Sequence, residues 1–152
     1  MVKPIKVGVI GLGYLGNFHV QQLKKIKNAE LVGVFDLNFS LCKKVAKKYN
    51  VLAFKDLQAL LTACDAITLV TPTPSHYVVA KQALKNNCHI FVEKPISDNI
   101  KNAKEIIKLA NEKKVKCQVG HIERFNPVYQ AFSKNLKKPL FIESHRLAPF
   151  NI

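Results

Sequence analysis

Arginine is nearly absent from this chain. It occurs only at Arg124 and Arg146 among 152 residues, so 22 of the 24 basic residues are lysine, against ten acidic ones and a formal charge of +14. Arginine is the usual residue for bidentate contacts to bases and phosphates. The lysines are spread over nearly every expected helix (Lys24, Lys25, Lys27; Lys43, Lys44, Lys47, Lys48; Lys101, Lys104, Lys108), as solvated outer faces are, so no specific nucleic-acid partner is expected. Cysteine is sparse too: Cys42, Cys64, Cys88 and Cys117 lie far apart, with no CxxC pair and no histidine at metal spacing. That excludes a zinc site and a disulfide framework, and points to reduced packing residues in a cytoplasmic protein without a metal. No run of about 18 apolar residues exists, so no membrane span is expected. Met1-Val-Lys-Pro-Ile-Lys6 lacks the apolar region and small-residue cleavage site of a signal peptide. There is no internal repeat and no low-complexity segment.

What is present is a core-forming composition, 48% hydrophobic, organised around one stretch. The β-branched run Ile5 to Ile10 leads straight into Gly11-Leu-Gly13-Tyr-Leu-Gly16, and the residues behind it place Leu15, Phe18, Leu23 and Ile26 at helical spacing. A glycine-rich turn between a buried strand and a helix start suits a pyrophosphate. Gly11 permits the turn, Gly13 lets the backbone approach the phosphates, and Gly16 lets helix and strand pack closely. Tyr14 and Leu15 are expected to pack while offering backbone N–H groups at the positive end of the helix dipole. A second strand-like run, Glu30 to Phe35, ends at Asp36, 20 residues after Gly16. A carboxylate there would accept the ribose hydroxyls and repel a 2′-phosphate. With no arginine in Leu37-Asn38-Phe39, NAD is favoured over NADP.

The rest alternates strand and helix. Residues 39–49 form an amphipathic helix, Val51–Phe54 a short strand, and Asp56 caps a helix carrying Leu57, Leu60 and Leu61. Asp65–Val70 is a strand, after which Thr73 as cap and Pro74 start a helix to about Lys85. His89–Val92 is a strand, and Ser97 or Asp98 caps a helix whose apolar face is Ile100, Ala103, Ile106, Ile107 and Ala110. Cys117–Gly120 is the sixth strand. This alternation predicts an α/β fold, a doubly wound parallel sheet of the Rossmann type with ligands beyond the carboxyl ends of its strands. The residues just after each strand are therefore the functional candidates: Gly11–Gly16, Asp36, Thr71–His76, Glu93–Pro95 and Gly120–Arg124. Asn126-Pro127 opens a helix through Leu136, and Pro139–Leu147 reads as a strand.

Together Gly11–Gly16, Asp36, Thr71-Pro-Thr-Pro-Ser-His76, Glu93-Lys-Pro95 and Gly120-His-Ile-Glu-Arg-Phe-Asn-Pro127 make the chain resemble the Gfo/Idh/MocA (glucose–fructose oxidoreductase/inositol dehydrogenase) family. The similarity spans Ile5 to Phe150, the family's nucleotide-binding half and the entry to its second domain. The resemblance implies residues 1–125 as the dinucleotide-binding domain and 126–152 as the start of a truncated substrate domain. It implies NAD(P)-dependent oxidation of a secondary alcohol on a sugar, cyclitol or nucleotide sugar, with Gly120–Pro127 and Glu143–Pro149 looking most like UDP-N-acetylhexosamine dehydrogenases. Association into a homo-oligomer would run through the absent domain's sheet. In such enzymes the lysine of Glu-Lys-Pro, here Lys94, reaches toward the nicotinamide ribose and the substrate hydroxyl, and the proline, here Pro95, commonly follows a cis bond.

An ammonium at Lys94 can polarise the alcohol oxygen or, with a lowered pKa, take its proton. Glu93 could bond ribose or fix the lysine. Thr71 and Pro72 are expected to wall the nicotinamide end of the cleft, and His76 either sits near the cofactor or simply occupies the first turn of its helix. His121 and Arg124 could meet an anionic group, Arg124 alternatively forming a surface or inter-domain ion pair. His19 and His89 read as structural. A non-catalytic dinucleotide-binding module lacking its substrate domain is the competing reading.

Overall fold

The computed structural model describes residues 3–143, 145 and 147. Six parallel strands form one sheet: β1 (Ile5–Ile10), β2 (Ala29–Phe35), β3 (Leu52–Ala53), β4 (Ala66–Leu69), β5 (His89–Val92) and β6 (Cys117–Val119), in the order β3-β2-β1-β4-β5-β6. Helices α1 (Tyr14–Leu23), α2 (Phe39–Tyr49), α3 (Leu57–Ala63), α4 (Thr73–Lys85) and α5 (Ile100–Glu112) connect them. β1 buries Val7, Gly8, Val9 and Ile10 in succession because it is covered on both faces. Val9 packs with Val20 of α1 and Val45 of α2, whereas Ile10 packs with Leu60 of α3, Leu84 of α4 and Ile106 of α5. The expected doubly wound arrangement is the one observed. The order reverses between β1 and β4, so the loops after these two strands diverge and leave a crevice.

Local chemistry explains most boundaries. Asn38 accepts the Leu41 N–H at 3.1 Å to start α2, and Asp56 accepts the Ala59 N–H at 2.9 Å to start α3. Two caps lie one residue from where the sequence puts them. Pro72, with extended backbone, precedes α4, so Thr73 is its first helical residue. Asn99 caps α5 by accepting the Asn102 N–H at 2.8 Å, while the Asp98 carboxylate binds the side chains of Ser97, Asn99 and Asn102. Ile100 then falls at the exposed start of α5, and Ile106 and Ala110 carry its burial.

α1 is rotated from the expected face. Gly16 and Val20 are buried, while Leu15 and Phe18 are exposed, Phe18 meeting Tyr14 edge-on with ring centroids 5.1 Å apart. The cause is Gly16: a Cβ there would strike the Gly11 carbonyl, so the side holding Gly16, with Val20 one turn on, is the side that fits the strand. The lysines named above all lie on exposed positions of α2, α5 and the turn after α1. Burial pushes the thiols of Cys42, Cys88 and Cys117 up, and that of Cys64 up to about 12. Cys42 and Cys88 direct their Sγ to the carbonyls of Val34 (3.2 Å) and Leu61 (3.3 Å), as weak donors in a core do.

The chain divides into two compact units, Met1–Gly120 and His121–Ile152. The second holds a 3₁₀ turn, Ile122–Phe125, and α6 (Pro127–Ser133), whose start is capped by Asn126 accepting the Val128 N–H at 2.9 Å. The turn thus groups with α6, five residues ahead of the boundary read from sequence. Of the expected strand Pro139–Leu147, residues 139–143, 145 and 147 carry no strand, and Ser144 and Arg146 lie outside the described residues. An extended segment needs a paired neighbour to satisfy its backbone, and no described strand pairs with it.

Candidate functional site

The crevice at the switch point is a cleft of ≈ 860 Å³, walled by the loops after β1, β2 and β4 and by α3 and α4. Its floor is the glycine loop. Gly11 has a φ of +90°, and a Cβ there would collide with the backbone of Val70 and Thr71, so glycine is required where the two diverging loops touch. Around Gly13 there is no atom within 4 Å of a built Cβ, which leaves open space above the backbone for a ligand. The first amides of α1 have no acceptor within the helix, and no side chain caps them. Asn17 tightens the loop by donating to the carbonyls of Leu12 (3.0 Å) and Gly13 (3.2 Å), a role the glycine spacing did not reveal. This cradle fits a dinucleotide pyrophosphate: open at Gly13, closed behind at Gly11 and Gly16, with free N–H donors between.

Asp36 closes the adenosine side. One oxygen accepts the Leu12 N–H at 2.8 Å and the other the Asn38 N–H at 2.8 Å. Each carboxylate oxygen has a second lone pair, so the group can hold the loop and still accept ribose hydroxyls. Beyond it the cleft continues along Leu37, Leu41, Leu57 and Val79, an apolar slot suited to a purine face that the motif alone did not locate.

Of the residues singled out from sequence, Gly11, Gly13, Tyr14, Leu15, Asp36, Thr71 and Pro72 line the cleft, with Gly16 behind it. Glu93, Lys94, Pro95 and His76 are not among the residues that line it. The Glu93 carboxylate lies beneath Gly120, paired with His19 Nε2 at 3.1 Å and accepting the Lys94 N–H at 3.3 Å. It anchors the end of β5 to α1, and the partner of His19, 74 residues away, could not be read from local sequence. His76 is 1% exposed and has both ring nitrogens on backbone carbonyls, leaving no polar atom for a ligand. Lys94 is exposed, follows β5, precedes Pro95 across a cis peptide bond, and has no ion-pair partner among the described residues. His121 and Arg124 belong to the second unit, where the His121 carbonyl accepts the Arg124 N–H at 3.1 Å. His89 is structural, its Nδ1 accepting the Lys116 N–H at 2.8 Å. A second hollow, ≈ 530 Å³ between α5 and β6, contains none of the candidate site residues.

The model of an oxidoreductase family with an NAD-binding Rossmann fold, Gfo/Idh/MocA, matches residues 5–121. The chain belongs to this family. Among Gfo/Idh/MocA relatives, UDP-N-acetylglucosamine 3-dehydrogenase of Acidithiobacillus ferrooxidans is 37% identical over 147 residues, which cover 96% of this chain and 46% of that enzyme. The scyllo-inositol 2-dehydrogenase (NAD(+)) of Bacillus subtilis is 33% identical over 133 residues, 85% of this chain and 39% of the relative. A solved structure of the Acidithiobacillus enzyme superimposes with a TM-score of 0.84 at 36% identity, over 89% of this chain and 44% of that one. The scyllo-inositol dehydrogenase of Lactobacillus casei, solved with NAD(H) and scyllo-inositol, gives 0.80 at 29% identity, over 88% and 41%. The chain thus spans less than half the length of these Gfo/Idh/MocA members, and it matches their nucleotide-binding part.

Proposed function

We propose that this chain is the cofactor-binding part of an NAD-dependent dehydrogenase that oxidises a secondary alcohol of a sugar, cyclitol or nucleotide sugar, with a UDP-N-acetylhexosamine as the favoured substrate. The observation that carries the proposal is the open glycine cradle closed on its adenosine side by Asp36. Bound nicotinamide supplies the hydride acceptor. The chain's own residues do the rest: amides of Gly13–Leu15 hold the diphosphate, Asp36 takes the ribose hydroxyls, and Thr71 and Pro72 wall the cleft beside the nicotinamide. Lys94, unprotonated in the productive complex, would accept the proton of the substrate hydroxyl and, as the ammonium so formed, hold the carbonyl oxygen that results. Glu93, held by His19, fixes the peptide that carries Lys94. His121 and Arg124 serve an anionic substrate group, and residues 121–152 open the substrate domain.

The similarity to UDP-N-acetylglucosamine 3-dehydrogenase over 96% of the chain supports the nucleotide-sugar substrate. The charge of Asp36 supports NAD over NADP. Calorimetric titration tests the reading: NAD should bind at least tenfold more tightly than NADP, and Asp36→Ala should weaken NAD by about ten- to a hundredfold, the loss of a charged hydrogen bond being worth about 1.5–3 kcal/mol. Absence of binding by either nucleotide at millimolar concentration would refute it.

A further inference from the structure

One polar side chain beside the apolar slot has nothing in the protein to bond. On α4, His76, Ala80, Ala83 and Leu84 are buried. Ser75, Val79 and Gln82 follow at spacings of four and three residues, which puts them on one stripe of the helix, and all three line the cleft. Along that stripe the chemistry changes with each turn. The Ser75 hydroxyl is engaged by its own loop, 2.7 Å from both Thr71 Oγ1 and the Pro72 carbonyl oxygen. Val79 belongs to the apolar slot. Gln82, one turn beyond it, is exposed; its backbone carbonyl accepts the Asn86 side-chain amide at 2.9 Å, while its own side-chain amide has no partner among the described residues. The neighbouring amides differ. Gln58 of α3 and Asn86, just after α4, bond each other twice, at 2.6 and 3.2 Å, which ties together the two helices that wall the slot.

A purine edge alternates donors and acceptors. In adenine the 6-amino group donates and the ring nitrogens near it accept. An ammonium can only donate and a carboxylate can only accept, so Lys55 and Asp56, which also line the cleft, each match half of such an edge. Asp56 has besides given one oxygen to the Ala59 N–H, at 2.9 Å. An amide matches both halves with one side chain, its oxygen accepting from the amino group and its NH2 donating to a ring nitrogen beside it.

We propose that Gln82 is the residue that recognises the base of the cofactor, its amide reading the 6-amino group of adenine together with an adjacent ring nitrogen. This rests on the reading that NAD occupies the cleft. It adds a selectivity that the glycine loop and Asp36 cannot supply, since they meet only the diphosphate and the ribose. The adenine is at the opposite end of the dinucleotide from the nicotinamide, so Gln82 sets affinity and takes no part in the chemical step.

Calorimetry on the full chain at physiological salt, with NAD and with the NAD analogue carrying hydrogen in place of the 6-amino group, tests the proposal. The wild-type chain should bind NAD about fivefold more tightly than the analogue, the difference being one neutral hydrogen bond. Gln82→Leu places a good helix former on an exposed position; it should fold as before and bind the two nucleotides equally. Equal binding by the wild-type chain overturns the proposal and leaves the NAD site standing. A preference that persists in Gln82→Leu assigns the amino group to another acceptor, such as the Asp56 carboxylate, and also overturns it. Binding of neither nucleotide at millimolar concentration refutes the NAD site itself, and the role of Gln82 with it.

Discussion

Gly13 and Gly16 stand three residues apart and should fail for opposite reasons when replaced. A methyl group at Gly13 meets no protein atom, but it projects into the space where a diphosphate would rest. Gly13→Ala is therefore expected to keep its melting temperature within a couple of degrees and to lose NAD affinity by about tenfold or more. A methyl group at Gly16 meets the Gly11 carbonyl, so α1 must move off the strand. Gly16→Ala should cost about 1–3 kcal/mol of stability, the usual range for overpacking, and lose affinity only as a consequence. Thermal melts and calorimetry on the two variants separate these effects; equal stability losses would mean that the cradle at Gly13 is not open.

At the scale of elements, α4 and α5 are clamped by Lys81, Glu105 and Tyr77, with Lys81 Nζ 2.6 Å from Glu105 Oε1 and the Tyr77 hydroxyl 2.7 Å from Oε2. The Lys81 ammonium, and then the Tyr77 hydroxyl, hold the Glu105 carboxyl below the usual carboxylate range, and the same contacts raise Lys81. A lowered carboxylate stabilises the fold above its ordinary range and loses that contribution as pH falls through its folded value. A raised lysine keeps its contribution through neutral pH and loses it only in strong alkali. Glu105→Gln should therefore melt about 2 °C lower at pH 7, in keeping with a half-exposed pair. The gap should close as the pH drops below the glutamate range. A gap that persists in acid would assign the effect to packing.

Elements of this kind were largely legible in advance, because β1, β4 and β5 are buried runs and α2 and α5 show helical periodicity. What could not be read depends on contacts distant in sequence or on backbone fit: the rotation of α1 set by Gly16 against Gly11, the His19–Glu93 pair, and the burial of His76. The site followed the same division. The glycine loop and Asp36 were visible as a motif, whereas the apolar slot of Leu37, Leu57 and Val79 is assembled from three separate connections.

At the scale of the whole molecule, the chain covers 46% of its Acidithiobacillus relative. It holds the cradle and Lys94 but only the first residues beyond the sheet. The 152-residue polypeptide is expected to bind NAD weakly and to turn over little or nothing. The check is the absorbance of reduced nicotinamide with UDP-N-acetylglucosamine or inositol as substrate. Robust turnover by this polypeptide alone would overturn that expectation. In a chimaera joined to the second half of the Acidithiobacillus relative, Lys94→Ala should abolish activity while changing NAD affinity little.

The coat of lysines has a practical consequence for all of these titrations. A protein carrying +14 gathers any polyanion at low ionic strength, and a dinucleotide diphosphate is a small polyanion. In dilute buffer the heat of mixing would include loose encounters all over the exterior. At physiological salt the screening length shrinks to about 8 Å, and those encounters fade. What then survives is the saturable component at the crevice, so cofactor discrimination in this protein is best measured against rising salt, with the plateau taken as the true selectivity.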